Sequence, residues 1–293
     1  MESIWTSIAA QISASTHEPF KLKSQQPVSG GCINTAAILQ GDIGRYFVKL
    51  NHASRNTLFA AEARGLREIA ATHSVRVPQP VCWGVAESSA YLVLEFLDLS
   101  HGDECSLEIL GQQLAQMHRT TAPHFGWHID NTIGSTPQIN TACNDWVEFW
   151  QRQRLGYQLK LAEGRSKKSL PDKGQRLMAD IGVFFTNYRP APALLHGDLW
   201  SGNAAAIQAQ PVIFDPAVYY GDREADLAMT ELFGGFTPGF YRAYQEAWPL
   251  DADYRVRKTL YNLYHILNHL NLFGGSYGAQ AESMVDLLLS EIR

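Results

Sequence analysis

The sequence predicts an α+β protein of two lobes, an N-terminal antiparallel sheet plus helix followed by a larger, mostly helical C-terminal lobe. Three observations predict it. Short segments of partly alternating polarity, broken by glycine turns, fill roughly the first third. Beyond Leu99 apolar residues recur at helical spacing instead. One strand-like insertion, "LLHGDLWSGN" followed by "VIFDPA", interrupts those helices. At 293 residues the chain is long enough for two ordinary domains or one two-lobed enzyme with a large core.

Ile4, Ile8 and Ile12 place a short amphipathic helix over residues 3–14. The segments "FKLKSQQPVSGG", "INTAAILQ" and "GRYFVKL" read as strands, separated by Gly30-Gly31 and by the turn "GDIG". Residues 54–72 turn helical, with Ser54 as a plausible N-cap. "VCWGVAE" and "AYLVLEFLD" return to strand. The polar stretch "LDLSHGDE" marks the boundary, giving lobes of 1–97 and 98–293. Helices follow over 106–119, 144–163, 172–187, 223–233, 237–246, 253–273 and 277–291. Between them "VIFD", flanked by Pro211 and Pro216, pairs with "NAAAI" across "QAQ".

Composition narrows the function classes. A net charge of −5 and a pI near 6.0 argue against a nucleic-acid partner. The basic cluster Arg165–Lys168 is short enough to be a solvated loop. Cys32, Cys82, Cys105 and Cys143 form no CxxC pair, which fits a reduced, cytoplasmic setting. The opening residues lack the pattern of a signal peptide, and no run of about 18 apolar residues offers a membrane span.

The chemistry concentrates in the insertion. Asp198 and Asn203 are five positions apart, and Asp215 ends the strand-like "PVIFD". That spacing lets a loop offer Asp198 to a substrate hydroxyl while Asn203 and Asp215 hold Mg²⁺ on nucleotide phosphates. Phosphoryl transfer needs positioning and charge neutralisation more than a covalent nucleophile, so oxygen ligands of differing charge suit it. His196 is read as a brace for this loop. A bare HxDxxxxN is equally a polar turn before a hairpin; further residues tip the balance. Lys49 closes a strand and Glu62 lies thirteen residues on in the next helix, the placement of a phosphate-binding lysine and its carboxylate partner. Gly30 and Gly31 in "VSGGCINTA" offer a turn whose N–H groups can approach phosphates, although the stretch is neither GxGxxG nor GxxxxGK[ST] and a plain hairpin turn remains open. Glu95 and Leu97 sit at the lobe junction, where an extended main chain can meet an adenine.

In that order these residues resemble the protein-kinase-like superfold in its small-molecule branch, which includes the aminoglycoside phosphotransferases. "LLHGDLWSGN", "DPAVYYGDREADLAM", "LFGGF" and "YNLYHILNHLNLFGGSY" narrow the resemblance to the fructosamine kinase (ketosamine 3-kinase) family, over essentially the whole chain. The resemblance implies ATP- and Mg²⁺-dependent phosphorylation of the sugar 3-hydroxyl of fructosamine or ribulosamine adducts of amines or protein lysines. The 3-phosphate makes the adduct labile and releases the amine, a deglycating repair. Carried over, Asp198 is the catalytic base or hydroxyl-orienting residue, Asn203 and Asp215 the metal ligands, and Lys49 and Glu62 the phosphate lysine and its partner. Asp222 and Asp226 are read as capping or loop-bracing carboxylates.

On the substrate side Trp200 is placed against the sugar, or packs the loop. His265, Asn268 and His269 share one region of a long helix, and Asn268 and His269 are placed near the sugar pocket. The HxxxH pair lacks the glutamate of HExxH and a third ligand, leaving core hydrogen bonding as its alternative to zinc. Phe233–Phe236 either helps shape the pocket or simply ends a helix. Cys32, beside the presumed phosphate loop, is a redox candidate, so the chain is expected as a monomer or a redox-dependent dimer. The other three cysteines are expected buried or half-buried. Two further readings stay open: a kinase for another small hydroxyl substrate, of aminoglycoside or choline type, and a nucleotide-binding pseudokinase.

Overall fold

A computed structural model describes residues 4–28, 34–165 and 169–292. Helix α1 (Ile4–Thr16) precedes strands β1 (Leu22–Val28), β2 (Thr35–Gly41) and β3 (Arg45–His52). Helix α2 (Asn56–Ala71) then leads to β4 (Pro80–Ala86) and β5 (Ser89–Glu95). The five strands form one antiparallel sheet in the order β1-β2-β3-β5-β4. The alternation read in the sequence works as a two-sided pattern. Leu39, Val48 and Val93 face Ile8 and Ile12 of α1, whereas Phe47, Leu92 and Leu94 join the core under α2. Lys49, next to Val48, therefore points to the α2 side.

Ser54 is not the cap of α2. It lies in a 3-10 turn, Ala53–Arg55, capped by His52, and its hydroxyl is 2.9 Å from His52 Nδ1. The helix starts after this turn with no side-chain cap.

Helix α3 (Glu104–His118) opens the helical part, N-capped by Asp103. A small hairpin follows, β6 (Asn131–Ile133) with β7 (Thr136–Gln138). The helix expected over 144–163 is three pieces: α4 (Trp146–Phe149), a π-helical stretch Trp150–Leu155, and α5 (Gly156–Ala162). Gly156 closes the wide turn by donating to Gln151 O, five residues back. Helix α6 (Ser169–Asp180) passes into a 3-10 segment, Ile181–Phe185. Strand β8 (Ala193–Leu195) leads into the loop of His196–Asn203. Then come β9 (Ala204–Ile207), β10 (Gln210–Ile213), β11 (Tyr219–Gly221) and helices α7 (Glu224–Leu232), α8 (Pro238–Ala247), α9 (Tyr254–Phe273) and α10 (Tyr277–Glu291). The hairpin read across "QAQ" is β9 with β10.

One apolar core runs from α2 and β5 through to α10, so burial extends across the junction near residue 97. Gly65 lets α2 pack closely in it: a Cβ there would lie 2.9 Å from Val218. Among the other cysteines Cys82 is buried and Cys143 half-buried, but Cys105 is exposed in the first turn of α3, where no core element faces it.

Candidate active site

Strand β8 delivers the chain into His196-Gly197-Asp198, and this loop is held from behind by Asp226. The Asp226 carboxylate accepts the main-chain N–H groups of His196 (2.7 Å) and Gly197 (2.8 Å) and lies 3.1 Å from His118 Nε2. Burial pushes this carboxyl up, yet the His118 contact and the N–H donors hold it below its ordinary value. His196 is the brace expected of it. Its Nε2 donates to Phe214 O (3.0 Å) and its Nδ1 accepts from Asp198 N (3.3 Å), one neutral tautomer serving both, and burial lowers its pKa. Gly197 is required: its φ is +81°, and a Cβ would sit 2.1 Å from Ala217 O.

Asp198 is pushed up to about 7, by burial first and then by the Asp215 carboxylate, with the Asn203 bond opposing. Asn203, at the end of a 3-10 turn, donates its amide to Asp198 O (2.8 Å) and Oδ2 (3.3 Å). Its nitrogen is thereby committed, leaving the amide oxygen as the group available to a cation. Asp215 follows β10 with a left-handed φ of +58° and bonds Lys49 Nζ through Oδ1. Lys49 reaches Glu62 Oε1 at 2.6 Å as well. Burial alone would lower the lysine; Asp215 and Glu62 hold it above its usual value and fully charged. Glu62 is raised by burial against the pull of Lys49. Glu62 itself is carried on a helix pinned from below, where Glu68 accepts Trp127 Nε1 and Tyr220 OH, both at 2.8 Å.

Lys49, Glu62, Asp198, Asn203 and Asp215 therefore converge on one cleft between sheet and helices. Asn203 and the half-exposed Asp215 fit Mg²⁺. They are hard oxygen donors of mixed charge, the ligand type that Mg²⁺ takes when it is shared with phosphates.

Glu95 ends β5, its N–H donated to Gln79 O (2.9 Å) and its carboxylate 2.5 Å from Arg76. Leu97 O accepts from Leu99 N, which turns the chain at the junction. Gly30, Gly31 and Cys32 lie outside the described residues. Trp200 is 39% exposed beside Asp198, its ring folded over Gly202 and edge-on to Phe233. Phe233 in turn contacts His269, 5.1 Å between centroids, so His269 lies on an aromatic wall with Trp200. Gly235 brings the Phe233–Phe236 turn against Ser201.

Asn268 does not belong to that wall. It is 3% exposed, accepts from Gln158 Nε2 (3.2 Å) and donates to Ile133 O (3.4 Å), which makes it a core tie between α5, β6 and α9. His269 Nδ1 is 2.8 Å from His265 O, and His265 lies edge-on to Tyr264, its pKa lowered to about 3 by burial. These contacts make His265 a packing residue and fix the ring of His269. His118 is the residue the motifs missed. It ends the Leu110–Leu114 stripe of α3, and a histidine on an otherwise apolar face was the available signal.

A model of the fructosamine kinase family matches residues 4–291. The chain belongs to the fructosamine kinase family. A probable ketoamine kinase of Synechocystis sp. is 49% identical over 96% of this fructosamine kinase family member and 95% of its own length. A chloroplastic protein-ribulosamine 3-kinase of Arabidopsis thaliana is 46% identical over 88% of this chain and 80% of its own. Among solved structures, a putative fructosamine-3-kinase from Haemophilus somnus superposes with TM-score 0.89 at 29% identity, covering 97% of both chains. An aminoglycoside phosphotransferase, at TM-score 0.63 and 14% identity over 98% of both chains, shares the kinase-like fold. Among the described residues of this family member no helix is long and apolar enough to cross a membrane.

Proposed function

We propose that this protein transfers the γ-phosphoryl group of ATP to the sugar 3-hydroxyl of ketosamines, fructosamine or ribulosamine adducts of amines or protein lysines, and so initiates their deglycation. The observation that carries the reading is the meeting of Lys49, Glu62 and Asp215 beside Asp198 and Asn203 in a fructosamine kinase family chain. Asp198, with a pKa near neutrality, accepts the substrate hydroxyl proton as that oxygen attacks phosphorus. Lys49, kept charged, binds the α- and β-phosphates, and Glu62 orients it. Asn203 and Asp215 hold Mg²⁺, which neutralises phosphate charge when bound.

Residues 1–97 form the ATP-binding lobe and 98–293 the catalytic and substrate lobe in this reading. The main chain at Glu95 and Leu97 meets adenine, and Trp200 with His269 contacts the sugar. The setting is cytoplasmic, and Cys32 makes activity redox-sensitive; equal rates of peroxide inactivation in wild type and Cys32→Ser would exclude that role.

The test is ATP consumption by the purified protein with Mg²⁺ across fructosamine, ribulosamine, aminoglycoside and choline acceptors. Turnover confined to the ketosamines is expected. Turnover only on another acceptor would overturn the substrate assignment, and nucleotide binding without turnover would make the protein a pseudokinase.

A further inference from the structure

Behind the cleft lies a buried polar strut that no catalytic role accounts for. Asp215 is in a left-handed conformation and is followed by Pro216, whose ring drives the preceding residue toward extended backbone. Such a conformation costs on the order of 1–3 kcal/mol and persists only where the surroundings over-determine it. The surroundings here are amide side chains of the β6–β7 hairpin and the residue two beyond it. Gln138 Nε2 donates to Ala217 O (3.0 Å), and Asn131 Nδ2 donates to Val218 O (2.8 Å). Asn131 Oδ1 accepts from both Gln138 Nε2 (2.8 Å) and Asn140 Nδ2 (2.9 Å), and Asn140 Oδ1 accepts from Arg154 (2.7 Å). Tyr264 OH donates to Gln138 Oε1 at 2.7 Å.

The direction of this chain is forced. Arg154, with only donors, stands at one end; the carbonyls of Ala217 and Val218, only acceptors, stand at the other. Each amide between them has one orientation that satisfies every partner. Arg154 is 0% exposed and among the described residues makes no ion pair; it lies over the Tyr219 ring at 4.1 Å and is presented by the π-helical stretch. Its guanidinium donates to Ile139 O (2.6 Å) and Asn140 Oδ1 (2.7 Å) with no carboxylate among the described residues to neutralise it, a costly burial, and wide helical turns occur often at functional sites. What the strut serves is read at its end point. Ala217 O is the atom against which Gly197 is packed, and Ala217 N donates to His196 O (2.8 Å). One residue, through the peptide units on either side of it, thus registers the base loop against the segment that follows Asp215.

We propose that Gln138, Asn131 and Asn140, oriented by Arg154 and Tyr264, are positioning residues that hold Asp215 in its cation-binding conformation by fixing the carbonyls of Ala217 and Val218. The inference rests on the proposed kinase reading for the role of Asp215, not for the strut itself.

The experiment is calorimetric titration of ADP, with and without Mg²⁺, into wild type, Gln138→Ala, Asn131→Ala and Tyr264→Phe, alongside thermal melts. In wild type Mg²⁺ tightens ADP binding. In Gln138→Ala and Asn131→Ala that gain falls by about tenfold while metal-free ADP binding is unchanged. Tyr264→Phe keeps the core volume and gives a smaller loss in the same direction, so it decides the matter if the alanine variants fail to fold. Variants that melt lower but keep the full Mg²⁺ gain would reduce the strut to a packing feature and overturn the proposal. A wild type that binds no nucleotide would overturn the kinase reading and the strut's role with it.

Discussion

Neutralising Asp198, the proposed catalytic base, should stabilise the protein while disabling it. The Asp198 carboxyl titrates near 7 in the folded protein against an ordinary 3.8, a shift of about three pH units. At 1.36 kcal/mol per unit this sets a ceiling of about 4 kcal/mol on the cost of ionising it in place. Below about pH 4 the group is protonated folded and unfolded, so it costs nothing. The cost enters as the pH rises from 4 to 7 and is complete above 7. In Asp198→Asn the cost disappears, and the amide still lies within reach of Asn203. Solvent relaxation lowers the ceiling to roughly 2 kcal/mol, or about 4 °C in melting temperature. Thermal melts of both proteins without ligand, from pH 4 to pH 8.5, should show no difference at the acid end and the variant melting higher at the alkaline end. In the same variant kcat should fall about 10²–10⁴-fold. For wild type, kcat/KM for ATP, which reports the free enzyme, should fall tenfold per pH unit below about 7. A pH-independent melting difference, or a variant that melts lower throughout, would refute the assignment of a strained, raised carboxyl.

Lys49→Met leaves Glu62 and Asp215 facing each other without their cation; a melting loss worth up to about 3 kcal/mol and a drop in kcat/KM for ATP of at least about 100-fold are expected, read by melts and steady-state kinetics. Gly197→Ala forces a Cβ onto Ala217 O at a left-handed φ, so expression as an unstable protein, or destabilisation above about 2 kcal/mol in denaturant titration, should follow. Trp200→Ala should raise the acceptor KM severalfold with ATP KM unchanged, and Trp200→Phe should recover part of the loss; equal changes in both KM values would make Trp200 a loop-packing residue.

Local signals made much of this legible. Lys49 and Glu62 could be read because a strand lysine and a carboxylate thirteen residues on in the next helix stand in one chain with the Asp198–Asn203–Asp215 motif. The β9–β10 hairpin and the bracing role of His196 followed from short spacings around Asp198. Other features depend on distant partners. Strands β6, β7, β8 and β11 are three residues each, too short to carry a period, and β8 finds its partner some two dozen residues on. The π-helical stretch needs an i→i−5 bond that helical spacing cannot signal. Asn268 was placed beside His269 because adjacent helical positions look equivalent in sequence; Gln158 and Ile133, which claim its amide, are more than a hundred residues away. Ser54 lost its capping role to a local 3-10 turn, a competition between two short-range structures that residue type alone does not decide.

The claim on which the rest depends is that Asp198 directs phosphate to the third carbon of a ketosamine. Phosphorus-coupled NMR of the product formed from ATP and a synthetic fructosamine, with Asp198→Asn as the control, tests it most directly. The account predicts a single product with phosphorus coupled to the proton on C3, its formation lost in the variant, followed by release of free amine. Phosphate on any other hydroxyl, or a product formed equally by Asp198→Asn, would contradict it.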